Sequence, residues 1–274
     1  MIPIGVSTSC VYPEGAERAF ATAAELGYDG VEVMVTRDEV TRDAGALIAL
    51  SDRYAVPILS VHAPVLLFTQ FVWGRDPRVK LERSAGLARA VGAGTVVVHP
   101  PFRWQRAYAG RFLDVVAATA DEYGVTVAVE NMFPWTVRGR TISVYAPSWD
   151  PLELDSDAVT LDFSHAALSG RDGMELAAAL GPRLRHVHLC DGPVATEEGT
   201  AFDEHLPPGA GSQPIAETLA WLAGSGWDGR IVAEVNTRHA ADEHERLELL
   251  RSTLEFARRH TAVPAPAPED GALR

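Results

Sequence analysis

The stretch Val125-Thr126-Val127-Ala128-Val129-Glu130 is a run of β-branched and small apolar residues that stops abruptly at a carboxylate. A short apolar run of this kind reads as a strand covered on both faces, as in parallel sheets. The pattern recurs along the whole chain. Apolar runs fall at 2–6, 30–34, 56–61, 95–98, 125–129, 159–161, 184–189 and 230–235, giving eight candidate strands.

Helical periodicity fills the gaps between the runs. Phe112, Val115, Val116, Thr119, Ala120 and Tyr123 form one stripe, and Gly124 follows as a C-terminal cap. Near the end, Leu247, Leu250, Leu254 and Ala257 share a face, with Arg258, Arg259 and His260 in the last turn. Eightfold alternation of strand and helix predicts an α/β protein with a single closed (β/α)8 TIM barrel. An open doubly wound sheet fits less well, since no Gly-x-Gly-x-x-Gly follows the first run. Residues 132–157, rich in proline and aromatic side chains, are expected to form a long loop with only a short helix. The barrel should span residues 1–260. The Ala/Pro-rich remainder, 261–274, is expected to be an extended tail without chemistry of its own.

Composition narrows the function. The chain has 24 Lys+Arg against 37 Asp+Glu, a formal net charge of −13. This balance disfavours broad binding to nucleic acid or anionic membrane, which needs clustered cations. No run approaches the roughly 18 apolar residues of a spanning helix. The opening residues lack a basic region followed by an apolar run, so no signal peptide is expected. Cys10 and Cys190 are too few for a disulfide framework, so a cytoplasmic protein with free thiols is expected.

The positions of the polar residues carry the chemistry. His62 ends strand three, His99 strand four, Glu130 strand five, Asp162 strand six, His188 strand seven and Glu234 strand eight. Barrel enzymes place their catalytic groups at these C-terminal strand ends. Alternation puts His62 with Ser60 and Glu130 with Ala128 on one face, facing inward. Six ionisable groups converging on one mouth are costly unless paired, and a bound cation resolves the conflict. His186 shares a face with His188 one layer deeper, where a hydrogen-bonded core histidine is expected.

These residues resemble those of a known family, the xylose-isomerase-like barrels, which include sugar isomerases, sugar epimerases and endonuclease IV. The motifs that carry the resemblance are Ser60-Val61-His62-Ala63-Pro64, Val97-Val98-His99-Pro100, Val129-Glu130-Asn131 and Leu161-Asp162-Phe163-Ser164-His165. His186-Val187-His188-Leu189-Cys190-Asp191, the segment from Asp203 to Gly211 and Ala233-Glu234-Val235 complete the set. In the epimerase and isomerase branch, the resemblance implies one divalent metal (Mn, Mg or Co) held by Glu130, Asp162, His188 and Glu234. The two glutamates would also move protons. In the endonuclease IV branch it implies up to three Zn ions, with His62, His99, His165, Asp203 and His205 as further ligands. Those five are therefore additional metal or substrate residues. A dehydratase of the inosose dehydratase kind is a third reading.

Three features favour the sugar branch and a small sugar-like substrate over nucleic acid. After His62 the chain reads Ala63-Pro64-Val65-Leu66-Leu67-Phe68, without the tyrosine that endonuclease IV inserts into DNA. The loop after Asp191 is acidic, with Glu197, Glu198, Asp203 and Glu204. Pro207-Pro208 matches the sugar branch. Against these stands a basic-aromatic stretch of Arg103, Trp104, Arg106, Tyr108 and Arg111, suited to gripping a phosphate or carboxylate. Arg103 and Trp104 are taken as substrate-binding candidates. Glu32, at the close of strand two, is another, with a surface pair to Arg37 as the alternative. Asp191 either orients His188 or caps the following turn, and Cys190 points into the core. Oligomeric state is open, a homo-oligomer included.

Overall fold

A computed structural model of the chain describes residues 1–65, 69, 71–137, 140–193 and 203–262. The chain opens with β1 (Ile4–Ser7), α1 (Ala16–Leu26), β2 (Gly30–Met34), α2 (Ala44–Tyr54), β3 (Ile58–His62) and α3 (Pro77–Val91). β4 (Thr95–Val98), α4 (Arg106–Ala109), α5 (Phe112–Tyr123), β5 (Thr126–Glu130), β6 (Trp135–Val137) and β7 (Arg140–Ile142) follow. The last part contains β8 (Val159–Asp162), α6 (Phe163–Leu168), α7 (Gly173–Leu180), β9 (Leu184–Leu189), α8 (Ile215–Gly224), β10 (Arg230–Ala233) and α9 (Glu243–Thr261).

Eight strands close into a parallel barrel in the order β1-β10-β9-β8-β5-β4-β3-β2. The open-sheet alternative is therefore excluded. Outward residues such as Val33, Val61, Val96, Val127, Leu161, Val187 and Ile231 are fully or almost fully buried beneath the helices. That explains the near-continuous apolar runs: helices cover one face of every strand and the packed barrel interior covers the other.

The helix stripes pack as their periodicity requires. α5 buries Phe112, Val115, Val116 and Thr119, and Gly124 ends it at φ 64° with its N–H on Ala120 O. α9 starts at Asp242, whose carboxylate caps Glu245 N, and buries Leu250, Thr253, Leu254 and Ala257. It runs to Thr261, one residue past the expected barrel end. The remainder of the expected tail, from residue 263, lies outside the described residues.

Residues 132–157 depart from the expected loop. Among the described residues they form an antiparallel pair, β6 with β7, and a 3-10 turn at Pro151–Glu153. Thr136, Val137, Thr141 and Ile142 are β-branched and favour extended backbone. The segment then folds back on the β4–α4 connection: Arg103 N donates to Val144 O at 2.8 Å and Ala146 N to Pro101 O at 2.8 Å. Phe102, Met132, Val144 and Tyr145 form a small apolar cluster there, so the two long loops at the catalytic end are tied to each other.

Candidate metal centre

Glu130, Asp162, His188 and Glu234 come from four neighbouring strands, β5, β8 and β9 plus the residue just past β10. They line one arc of the mouth, with the two glutamates at its ends. All four are buried. Strand register places Asp162 beside His188. Ligand atoms of Glu130, Asp162 and His188 lie within 4.8 Å of one another. Glu234 completes the ring, with Oε2 2.8 Å from His188 Nδ1.

The environment of His188 tests whether a cation fits. Its Nε2 is 3.1 Å from Glu32 Oε1. Its buried Nδ1 has no hydrogen-bond partner among the described residues, yet faces Glu234 at 2.8 Å, Glu130 at 3.4 Å and Asp162 at 3.7 Å. A ring nitrogen surrounded by carboxylate oxygens needs positive charge between them, supplied by a proton or by a metal. The donor set therefore fits a divalent ion. Burial alone would raise the Glu130 carboxyl, but the His99, His188 and His165 imidazoles around it hold it well below the carboxylate range. Burial lowers His188 in isolation, whereas Glu234, Glu32 and Glu130 together push it well above the usual histidine value.

The five further candidates also converge on this mouth. His62 Nε2 lies 3.2 Å and His99 Nε2 3.1 Å from Glu130 Oε2. His165 Nδ1 is 3.1 Å from Glu130 Oε1 and its Nε2 is 3.1 Å from Asp203 Oδ2. His205 Nε2 contacts that same Asp203 oxygen at 3.1 Å, with Nδ1 on Glu234 O at 2.8 Å. Two more groups with ligand atoms within 4.8 Å result, His62–His99–Glu130 and Asp162–His165–His205.

Local structure holds these groups in place. Asp162 caps α6 by accepting from His165 N, and Asn131 brackets the Asp162 backbone with Nδ2 on its carbonyl and Oδ1 on its N–H. Asn131 stands in the quoted Val-Glu-Asn motif, but its bracing role has no signature in a single sequence. Asp191 caps the following turn, accepting from the N–H groups of Gly192, Gly209, Gly211 and Gln213. It thereby shapes the segment that carries Asp203 and His205.

Several sequence expectations change in detail. Glu32 sits in the middle of β2, fully buried, with Oε2 accepting from Ser60 Oγ at 2.7 Å and Oε1 engaged by His188. It lies beneath the donors, engaged by Ser60, His188 and His186 and not by Arg37. His186 is fully buried 3.0 Å from Glu32 Oε2, but the approach is off the line of a hydrogen bond, and among the described residues neither ring nitrogen has a hydrogen-bond partner. Cys190 is buried as expected, yet its Sγ reaches Asp162 Oδ2 at 3.3 Å. Trp104 lines a cavity of about 410 Å³ that reaches His99. Arg103 does not line it and instead contacts Ser143 O at 3.4 Å. Residues 66–68 and Glu197 and Glu198, used in weighing the branches, lie outside the described residues.

The comparisons agree with this fold. The family model for xylose isomerase-like TIM barrels matches residues 20–260. The Rv0498 protein of Mycobacterium tuberculosis is 49% identical over 278 residues, covering 94% of this chain and 98% of that protein. Fructoselysine 3-epimerase of Escherichia coli O157:H7 is 23% identical over 247 residues, covering 81% of this chain and 86% of that enzyme. The crystal structure of a D-tagatose 3-epimerase-like protein superposes with a TM-score of 0.65 at 25% identity, covering 96% of this chain and 100% of that one. No helix among the described residues is long and apolar enough to cross a membrane. By its matched segment, its closed barrel and its relatives, the chain belongs to the xylose isomerase-like TIM barrel family.

Proposed function

We propose that the protein is a divalent-metal-dependent isomerase or epimerase of a small sugar, sugar phosphate or related carbonyl compound. The observation that carries this reading is the pair Glu130 and Glu234, at the two ends of one ligand arc and both turned toward His188 Nδ1. Similarity to fructoselysine 3-epimerase supports it. Glu130, Asp162, His188 and Glu234 would hold the ion, and a carboxylate-rich set with one imidazole suits Mn, Mg or Co. Bound there, the ion supplies Lewis acidity to a carbonyl oxygen and to the enediolate that follows.

The residues do the rest. One glutamate takes the proton from the carbon that bears a hydroxyl beside the carbonyl, and the C–H electron pair enters the enediolate. The other glutamate returns a proton, to the same carbon in an epimerase or to its neighbour in an isomerase.

A second reading, zinc-dependent phosphodiester hydrolysis of the endonuclease IV kind, is favoured by the two histidine-rich groups beside the arc. A dehydratase would begin with the same proton abstraction and then expel hydroxide. The deciding experiment is metal stoichiometry together with deuterium uptake from heavy water into a panel of ketoses and keto-acids. One ion per chain with exchange supports the isomerase reading. Three zinc ions without exchange, and cleavage of abasic duplex DNA, would replace it with the second.

A further inference from the structure

Beyond the donor cluster, the cavity that reaches His99 holds an unbalanced positive charge. Lys80, on α3, is only 5% exposed. Its Nζ donates to Pro64 O and Thr69 O, both at 3.0 Å. An ammonium has three donors, and among the described residues no carboxylate pairs with this one. Burial accordingly lowers its pKa. A buried charge satisfied only by carbonyls is costly to keep. Tyr108, on α4, lines the same cavity, and its buried hydroxyl has no partner among the described residues.

Arg75 stands at the cavity's outer end, where the cavity continues into a second groove that shares Arg75, Trp104 and Tyr108 with it. Arg78, Arg106 and Arg111 line that groove, with Asp76 as the one acid among its described lining residues. Arg78 is paired with Glu82 at 2.7 Å. Arg75, Arg106 and Arg111 have no ion pair among the described residues. In a chain of net charge −13, three arginines without ion pairs among the described residues, next to a buried lysine, make a local excess of positive charge that suits an anion.

We propose that this cavity is a subsite for an anionic group of the substrate, a phosphate or carboxylate carried away from the reacting carbon, bound by Lys80, Tyr108 and Arg75. The inference rests on the isomerase or epimerase reading and narrows its substrate class to anionic sugars. The inner end of the cavity touches His99, itself 3.1 Å from Glu130. An anion held by Lys80, Tyr108 and Arg75 would leave the rest of the substrate directed past His99 at the donor cluster.

The test measures the dissociation constants of D-fructose, D-fructose 6-phosphate and D-fructuronate for the metal-loaded protein by calorimetry. The expected result is at least tenfold tighter binding of one anionic ketose than of fructose. Which of the two it is separates phosphate from carboxylate. Lys80→Met should reduce that preference about tenfold. Because Lys80 also anchors two loop carbonyls, Tyr108→Phe is the cleaner variant: it removes only an unpartnered hydroxyl and should cut the preference severalfold. Equal binding of neutral and anionic ketoses, or a preference that survives both variants, overturns the subsite. So does displacement of the anionic ketose by abasic duplex DNA in a Lys80-dependent manner, which would assign the positive charge to a nucleic-acid backbone. Deuterium exchange is read separately. Exchange into fructose without anion preference sinks only this inference, whereas Lys80-dependent anion binding without exchange in any ketose keeps the subsite and sinks the isomerase reading.

Discussion

His188 Nε2 lies 3.1 Å from Glu32 Oε1, and this contact decides which ring nitrogen faces the mouth. Burial would raise the Glu32 carboxyl, but His188 and His186 hold it well below its usual value, so it is ionised and can only accept. Nε2 therefore carries the proton, and Nδ1 is left for a ligand bond. Glu32→Ala should weaken divalent-metal affinity by about 10–100-fold, the usual effect of losing such an outer partner. Competition against a fluorescent chelator measures it. An unchanged affinity in a folded variant would mean that Glu32 only fills the barrel.

Asp162 and His188 sit in the middle of the arc and have no part in the proposed proton transfer. Asp162→Ala or His188→Ala should therefore abolish stoichiometric metal while circular dichroism still reports a barrel. Elemental analysis after dialysis is the check. Full occupancy in both variants would remove them from the site.

Gly211 approaches the Asp191 turn so closely that a Cβ would lie 2.0 Å from Gly192 O and 2.4 Å from Asp191 Oδ1. No flexible side chain can yield there. Gly211→Ala should cost about 1–3 kcal/mol, the range for overpacking, and lower the melting temperature by several degrees. A melting temperature equal to that of the parent would show that the turn relaxes freely.

The barrel was legible because its strands are apolar on both sides, so each run stands out from the helices around it. The mouth was legible because polar residues end those runs: Glu130, Asp162 and His188 close β5, β8 and penultimately β9, and Glu234 follows β10. Glu32 was misplaced because its partners Ser60 and His188 come from other strands, and nothing in β2 alone shows that it lies beneath the donors. Lys80 was missed for a different reason. It shares the buried face of α3 with Leu81, Ser84 and Leu87, and a lysine on a core stripe is a signal only once the partner carbonyls of Pro64 and Thr69 are known. The β6–β7 pair was hidden by the aromatic and proline content of its surroundings.

The two thiols should be inert in the folded protein. Burial, with Glu234 nearby, pushes Cys10 up to about 12, and burial with Asp162 does the same for Cys190. The shift disfavours thiolate, so at pH 8 only about one molecule in ten thousand carries it at either site, and the thiolate is the reactive form. Alkylation by iodoacetamide should be negligible until denaturant is added, then reach two labels per chain. Rapid native labelling at Cys10 would show that the β1–α1 connection opens readily.

Glu130 and Glu234 close the two ends of the ligand arc, with Asp162 and His188 between them. From those ends they can address two faces of one carbon. Glu130→Gln and Glu234→Gln each keep an oxygen that can still ligate a cation, although more weakly, and each removes the ability to accept a proton. General acid–base catalysis contributes about 10²–10⁴-fold, so each variant should lose at least that much turnover while retaining part of its metal. Metal content measured alongside separates a lost base from a lost ion. A true pair also predicts an asymmetry: the variant lacking the base for one epimer should still exchange deuterium into the other epimer. If only one glutamate matters, a single carboxylate both takes and returns the proton, and isomerisation on one face replaces epimerisation. If exchange continues at the parent rate in both variants with metal retained, neither glutamate is the base and the enediolate route is wrong for this protein.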